Sequence, residues 1–585
     1  MSNFLKGSLL ASLFLLTCTF SMQSSAQLNL KSIAIDPQWQ ALLHIYKDNT
    51  FIKGNFLLSG SSFSAKNELI QTIALFDVSD QDPLACHFIA RHYYLTVIKG
   101  LKLPNIYCPD FDNFKLKAPV DHISILFASE NLSQPASIMG HTMMALSDAN
   151  FTTQHSVSFF TELNTVNPFK LIWENLVVGQ PGYFLVQPLQ QSIDLYLNQE
   201  QRNIWRYPVK VSEQERALLL RHLWELKFVS MDYFFNAHNC ATLTLDILRI
   251  INPKIIIDRQ DWVSPIDVIK AANNQQMLAA PMLYGSSKWK IRILSEYTDT
   301  ISPSISITQD KPSTVLAGLL SFETNRYRYH QGHIPRTDWY RHNTQLREQG
   351  LNKNEHSFSL DRFQNPLLTP QDSQWGGSIY QSRYSTGNQT WSSIYWMPAS
   401  HQIMDDNQQY SSENALEILM VKLRLNSTEV QLESLRLYQV ESYLNNNRYI
   451  GGTSGRFGIG LNRYPINNSQ DALAGYIEGA LGKTYKIHKD LSFYAFWQAG
   501  AVVNPDSQFI VNGPELGLFF YWIGGMKTHL KASKLWRYGQ DSLQEVSLKH
   551  SLYSWNSGNL KLHFDHAKWG DQNHYKGEIG VSFYY

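Results

Sequence analysis

The chain has 585 residues, too many for one ordinary domain, so two or three separate cores are expected. Its 50 Lys and Arg balance 49 Asp and Glu to a net charge of +1, which removes any electrostatic case for a nucleic-acid partner. Aromatic residues reach 13%, and the excess lies largely in the second half.

The N-terminus has the order of a secretory signal peptide: Lys6, an apolar run from Leu9 to Leu16, then small polar residues ending in Ser24-Ser25-Ala26. Cleavage after Ala26 starts the mature chain near Gln27. A lipobox ending at Cys18 is the alternative, with the unusual Thr17 before the Cys. The apolar run is shorter than the roughly 20 residues of a bilayer-spanning helix. Export lets cysteines pair. Cys86 and Cys108 lie close in sequence, and a bridge between them leaves Cys240 as the odd thiol. Three cysteines nevertheless allow three pairs.

Residues 27–118 read as a helical region. Apolar stripes run through Trp39, Leu42, Leu43 and Ile45, through Leu69, Ile70 and Ile73, and through Phe88, Ile89, Tyr93 and Val97. Pro104 and Pro109 interrupt the pattern. From Asp121 the chain alternates as strands do, first over His122–Ser129, then around Gly140-His141-Thr142, then at His155–Phe160. Ser212 and Glu215 form a capping box ahead of a helix. Cys240 opens the next helix, with Leu243, Ile247, Leu248 and Ile251 on its apolar face and Asn252-Pro253 as its stop. Strands followed by helices over residues 119–275 indicate an α+β domain.

Gly140-His141-Thr142, taken with Asn239-Cys240, resembles the DUF4105 family, also described as the Lnb N-terminal periplasmic domain. The likeness extends to Cys86–Arg91, Ser137–His141, Tyr196, Glu200–Tyr207 and Tyr233–Phe235, and covers residues 80 to 255. The order of His first and Asn-Cys later on a helix is also similar to permuted papain-like enzymes of the NlpC/P60 and lecithin-retinol acyltransferase type. The resemblance implies a thiol acyltransferase, N-acylating lipoproteins from a lipid donor through a Cys240 thioester. Outer-membrane lipid and lipoproteins or an acyl-lipid are then the implied partners.

A thiol on the first turn of a helix sits near the positive end of the helix dipole, which favours thiolate. In papain-type chemistry His141 is the base, with Gly140 leaving room for close approach, and a third polar group orients the ring. His155 is one candidate for that orienting role, with Ser158 and Asn239 as competitors. Asn239 is also the natural helix N-cap. No cofactor is expected. His238, Cys240 and His141 lack zinc-ligand spacing, so no metal is expected either. Glu200, Arg202, Trp205 and Tyr207 read as structural support. With water as acceptor the same dyad gives a cysteine amidase or peptidase acting on peptidoglycan; with an inert Cys240 the protein is a binding or assembly factor.

Residues 285–585 carry many period-two segments, among them Val421–Leu425, Phe457–Leu461, Leu560–Phe564 and Tyr575–Tyr585. Apolar alternation with aromatics near segment ends is the pattern of an antiparallel transmembrane β-barrel, with on the order of 10 to 14 strands in this length. The expected protein is therefore anchored in the outer membrane with its thiol domain in the periplasm. Thr-, Ser- and Pro-rich residues 299–313 read as a connecting loop.

Overall fold

The computed structural model describes residues 30–300, 311–349 and 365–585, apart from short gaps at 47–48, 51, 53–55, 79–81, 132–138, 162–169, 171–172, 230, 237, 257–261, 385–386, 408, 411 and 467–468. The expected signal peptide, and residues 301–310 of the expected connecting loop, lie outside the described residues.

The N-terminal part is built on an antiparallel sheet of seven strands: β1 (His122–Ala128), β2 (His141–Ser147), β3 (Gln154–Thr161), β4 (Gln180–Pro188), β5 (Ile204–Pro208), β6 (Met231–Tyr233) and β7 (Met282–Tyr284). Their spatial order is β6-β4-β3-β2-β1-β5-β7. The helices are α1 (Pro37–Leu42), α2 (Ala65–Phe76), α3 (Ile89–Tyr93), α4 (Pro109–Lys117), α5 (Glu213–Leu226), α6 (Cys240–Ile251) and α7 (Pro265–Asn274). The capping box at Ser212 and Glu215 does open α5. Cys86 and Cys108 form a disulfide, and Cys240 is free.

One face of the sheet packs on α6. Ile125, Phe127, Met144, Leu146, Val157 and Trp205 share a core with Leu243, Leu245, Ile247 and Leu248. The helical region is not set apart from this unit. Ile52, Phe56, Ile89 and Phe111 enter the same core, and Trp39, Leu42 and Leu69 pack with Leu218 of α5 and Ile250 of α6. A boundary at residue 118 therefore cuts through continuous apolar packing.

A buried polar chain reinforces that join. Asp246 of α6 contacts His44 Nδ1 at 3.2 Å, and His44 Nε2 meets His222 Nε2 at 2.9 Å. His222 lies 3.7 Å from Glu225, which faces Arg91; Arg91 in turn donates to Glu68 at 2.5 Å. Glu225 also accepts from the Ala90 and Arg91 amides.

Residues 285–348 depart from the expected barrel. They form three helices, α8 (Ser287–Thr300), α9 (Lys311–His330) and α10 (Arg336–Glu348). The alternating segments begin only afterwards, at β8 (Gln374–Tyr384). Then follow β9 (Gly387–Met397), β10 (Glu413–Leu425), β11 (Val430–Tyr443), β12 (Ser454–Ile466), β13 (Ser469–His488), β14 (Leu491–Asn504), β15 (Ser507–Tyr521), β16 (Lys527–Arg537), β17 (Leu543–Trp555), β18 (Gly558–Trp569) and β19 (Gln572–Tyr584). Each pairs antiparallel with its neighbour, except that β9 pairs with β10 by skipping the three-residue strand Ala399–His401, and β8 pairs with β19. These two joins close a barrel of 12 strands.

Alternation sorts the barrel residues by face. Ile379, Ile394, Ile477, Leu481, Ile510, Leu516 and Ile579 are exposed on the outside. Trp375, Trp396, Trp522, Tyr553 and Tyr585 are exposed near the end that faces the N-terminal unit, and Trp536, Tyr538 and Tyr575 near the other. An apolar band between two aromatic girdles is how a barrel meets a bilayer. Inward-facing charges pair across the lumen: Lys422 and Lys576 hold Glu433 and Glu578, and Arg456 holds Glu515 at 2.9 Å. The segment between β9 and β10 folds into the near end, where Asp405 meets Lys561 and Tyr584, and Asn559 donates to the Met404 carbonyl. The strand ends are thus filled by the chain itself.

Burial lifts the Glu225 carboxyl to about 7, against the pull of Arg91. A carboxyl raised on folding contributes stability that is fully present below its ordinary value of about 4.3 and is lost as pH rises through the folded value. Glu225→Gln keeps the acceptor for the Ala90 and Arg91 amides and cannot ionise. Its thermal midpoint relative to wild type, measured in detergent, therefore improves from pH 5 to about 7 and levels off above that. A difference that does not change with pH would remove Glu225 as the titrating group.

Candidate active site

Asn239 decides where the thiol sits. Its side-chain oxygen accepts from the Ala241 and Thr242 amides at 2.9 and 3.0 Å, and its amide donates to the Phe235 and Val263 carbonyls at 2.8 and 3.0 Å. The Thr242 hydroxyl returns the bond by accepting from the Asn239 amide. Every donor and acceptor of the Asn239 side chain thus serves the cap, and none is left to orient an imidazole. Ahead of it, Phe234 and His238 exchange backbone bonds and turn the chain from β6 into α6. Cys240 follows as the first helical residue, 7% exposed.

Cys240 lies against Thr142 of β2 and Tyr233 of β6. One turn further along α6, Thr244 donates to the Cys240 carbonyl at 2.8 Å and approaches the Thr142 hydroxyl at 3.4 Å. Burial pushes the Cys240 thiol up; the Thr142 amide and hydroxyl, Arg202 and the Ala241 amide act the other way without prevailing. The thiolate expected from the helix dipole is therefore not the resting form. Burial likewise keeps Tyr233 and Tyr196 protonated, so both phenols are donors beside the sulfur.

His141 opens β2, and Gly140 before it has φ +88°. A Cβ at Gly140 would come within 2.6 Å of the Phe127 ring, so glycine is required on both conformational and steric grounds. His141 pairs with Ala128 and Thr142 with Phe127. Side chains alternate along a strand, so Thr142 shares the α6 face with Phe127 and Met144, while His141 shares the opposite face with Leu126 and Met143. There its ring stacks on Tyr196, 5.5 Å between centroids. Its Nε2 is buried with no hydrogen-bond partner, and burial together with the Arg202 charge lowers the imidazole to about 3. Among the described residues no hydrogen bond joins the His141 imidazole to Cys240. The expected dyad contact is absent from this state, and the physical reason is strand parity.

What the two groups share is Arg202. Its guanidinium donates to the Ala128 and Ser129 carbonyls and to Glu200, lies over the Tyr196 ring at 5.0 Å, and acts electrostatically on both His141 and Cys240. Arg202 is thus ion-paired, as expected of a support, and also borders the site. Tyr196 and Tyr233 border it too, although the sequence reading gave neither a role there.

His155 cannot orient His141. It pairs with Leu146, five residues along β2 from His141, a separation of about 16 Å at roughly 3.3 Å per residue. Ser158 pairs with Leu185 on the β4 side. His238 is buried and edge-on to Phe234. Among the described residues no group of three or more His, Cys, Asp or Glu side chains could hold a metal ion.

Asn239→Ala deletes a cap worth about 1–2 kcal/mol and strands two buried carbonyls at a cost of about 1–3 kcal/mol each. The expected result is a clearly lowered thermal midpoint of the N-terminal unit, with Cys240 becoming accessible to a bulky disulfide reagent in the native protein. Unchanged accessibility would show that the cap does not hold the thiol in place.

Residues 110–275 match the family described as the Lnb N-terminal periplasmic domain, and residues 372–584 match a domain of unknown function, DUF7840. No curated protein matches the chain. Similar solved structures include the KdgM porin in complex with disordered oligogalacturonate, at 9% identity and TM-score 0.23, with 36% of this chain and 99% of that one covered. The NanC porin gives 11% and 0.23, over 35% and 98%. An outer membrane channel from Pseudomonas putida F1 gives 10% and 0.26, over 39% and 100%. The barrel assignment itself rests on strand closure and the outward apolar band. The chain thus joins a region that matches the Lnb N-terminal periplasmic domain, residues 110–275, to a closed 12-strand barrel of the outer-membrane type.

Proposed function

We propose that the protein is a thiol acyltransferase of the envelope, with Cys240 as nucleophile and His141 as base. The observation that carries this reading is a free cysteine on a fully capped helix start, at the same end of the sheet as an imidazole whose buried Nε2 has no partner. An orphaned buried nitrogen costs about 1–3 kcal/mol and is retained where it has work to do.

In the proposed reaction the imidazole takes the Cys240 proton as sulfur attacks an ester carbonyl. The C–O bond breaks, the alcohol leaves with the imidazolium proton, and a Cys240 thioester remains. An amine, such as a lipoprotein N-terminus, then attacks the thioester; its proton passes through the imidazole back to the thiol. Water in place of the amine makes the enzyme a hydrolase. The Cys240 backbone amide and the Tyr233 hydroxyl, which lies against Cys240, are the donors assigned to the developing oxyanion in this reaction. Both reacting groups rest neutral, so the imidazole must leave its stacking on Tyr196 and approach the sulfur when substrate binds. Catalytic hydrogen bonds commonly tighten only in that complex.

A second reading, a non-catalytic assembly factor with an inert core thiol, draws on the missing thiol–imidazole bond. Alkylation separates the two. On the catalytic reading, iodoacetamide modification of Cys240, followed by peptide mass spectrometry, rises with pH to a midpoint above the ordinary thiol value of about 8.5. Acyl-enzyme formation from an activated ester at pH 7.5 falls about a hundredfold or more in His141→Ala. Equal acylation of wild type and His141→Ala favours the inert thiol.

The acceptor is tested in cells. Mass spectrometry of lipoprotein N-termini should show an amide-linked acyl chain that disappears with Cys240→Ala and returns with wild type. Identical N-termini in all three strains would sink the transferase reading and leave hydrolysis.

A further inference from the structure

A cavity of about 270 Å³ opens at the end of the sheet where β1 begins and β5 ends. His122 lines it, whereas His141 sits at the other end of β1, paired with Ala128 six residues along, a separation of about 20 Å at roughly 3.3 Å per residue. The cavity is therefore separate from the thiol site. Strand parity sets what points into it. Trp205 and Tyr207 of β5 enter the core beneath α6, so Arg206 between them turns to the opposite face, where it pairs with Leu126 on β1 and with Met282 on β7. A sheet face that carries Leu126 and Ile204 in an apolar cluster thus admits an arginine at its margin.

Arg206 is 6% exposed, and neutral groups hold it: Nε donates to the Ser124 hydroxyl and Nη1 to the Gln154 side-chain oxygen, both at 3.1 Å. Its Nη2 is left without an acceptor among the described residues. Two further cations stand at the rim, and each bonds a neutral carbonyl. Lys210 donates to that of Gln276 at 3.3 Å, and Arg216 to that of Asp121 at 2.7 Å. Asp121 brings the one carboxylate on the cavity wall, and among the described residues no ion pair joins it to any of the three cations. With His122 neutral, the wall therefore carries an excess of two positive charges. A buried guanidinium held by neutral acceptors is positioned but not neutralised, and an anion of matching charge lowers the energy of all three cations. Phe151 forms an apolar lip: its ring is 46% exposed, stacks on His122 with 4.5 Å between centroids, and lies 5.5 Å from the Arg206 guanidinium. Met282, also 46% exposed, adds flexible apolar surface beside Arg206.

We propose that this cavity binds a phosphate monoester, its dianionic phosphate received by Arg206 at the floor and by Lys210 and Arg216 at the rim, with the body that carries it resting on Phe151 and Met282. Charge decides the class. A phosphate monoester carries about −1.5 to −2 at pH 7, which matches the excess, whereas a carboxylate or a phosphate diester carries a single charge and leaves the rest unmet. Its three terminal oxygens also offer one acceptor to each of three donors arriving from β5, from the segment after it and from α5. The same head is carried by lipids such as phosphatidic acid and by soluble esters such as glycerol 3-phosphate, and the apolar lip takes either body. The site stands whether or not Cys240 is catalytic.

The test is isothermal titration calorimetry of the full-length protein in neutral detergent at pH 7.5, with glycerol 3-phosphate, dimethyl phosphate and acetate as probes. Glycerol 3-phosphate should bind at one per chain, at least tenfold more tightly than either monoanion. Lys210→Gln combined with Arg216→Gln should weaken it at least tenfold with the thermal midpoint unchanged. Arg206→Gln should abolish it, and where that buried change also lowers the thermal midpoint, the rim pair alone decides. Cys240→Ala should bind as wild type does, which keeps this result separate from the acyl-transfer reading. Dihexanoyl phosphatidic acid distinguishes the sources: binding at least tenfold tighter than glycerol 3-phosphate assigns the site to a lipid, and equal binding assigns it to a soluble ester. Equal binding of the three probes, no binding of glycerol 3-phosphate at millimolar concentration, or undiminished binding by the rim variant would overturn the proposal.

Discussion

The parity of β2 governs the whole site. Residues in register face the same way, so the pairing of Thr142 with Phe127 commits Thr142 to the helix side and His141 to the far side. A slip of one residue would exchange them, but Met144 and Leu146 would then lose the α6 core that holds the sheet to the helix. The register cannot yield, because each buried apolar side chain is worth about 1.5–3 kcal/mol. Whatever brings imidazole and thiol together must therefore act at the end of the strand. Gly140, with its positive φ, frees the backbone there, and Tyr196 rather than a hydrogen bond holds the ring.

That constraint also marks what could be read from the chain. Asn239 as cap, Cys240 as first helical residue and the Ser212 capping box were legible because they are local patterns with a single geometric solution. The barrel was legible because period two repeats over strand after strand. The His141 contact was not, since it depends on which face a strand turns to a helix a hundred residues away, and both parities give the same alternating text. His155 failed for the same reason: nearness in sequence said nothing of the strand length between Leu146 and His141. The helices of residues 285–348 were masked by a composition of polar and aromatic residues that fits a barrel edge equally well. Arg202 was visible as an ion-pair former, yet its position beside both His141 and Cys240 exists only in the fold.

The barrel's role follows from how its interior is filled. Lys422, Lys576, Glu433 and Glu578 cross-link the lumen, and Ile403 and Met404 enter an aromatic cluster with Tyr443, Tyr494 and Phe519 at the end facing the N-terminal unit. Buried ion pairs of this kind give a rigid, specified interior rather than a wide aqueous path. Its strand ends hold α8, through Lys486 with Glu296 and Asn447 with Ser295. On the proposed acyltransferase reading, tethering the domain at the surface that holds a lipid substrate raises the effective concentration to about the millimolar range without any added affinity.

A free thiol in an oxidising compartment carries its own hazard, and the structure answers it in two ways. Cys86 and Cys108 are joined to each other, so neither offers a free thiol for oxidative pairing with Cys240. Cys240 itself is buried and held as the thiol, and only the thiolate exchanges with disulfides at an appreciable rate. A preformed thiolate–imidazolium pair would react sooner with substrate, but also with every oxidant that reached it. If the proposed acyl transfer is the reaction, keeping the sulfur beside Thr142 and the imidazole on Tyr196 defers ionisation until a bound acyl group excludes other partners. The separation imposed by strand parity is on this view a safeguard for the same chemistry it delays.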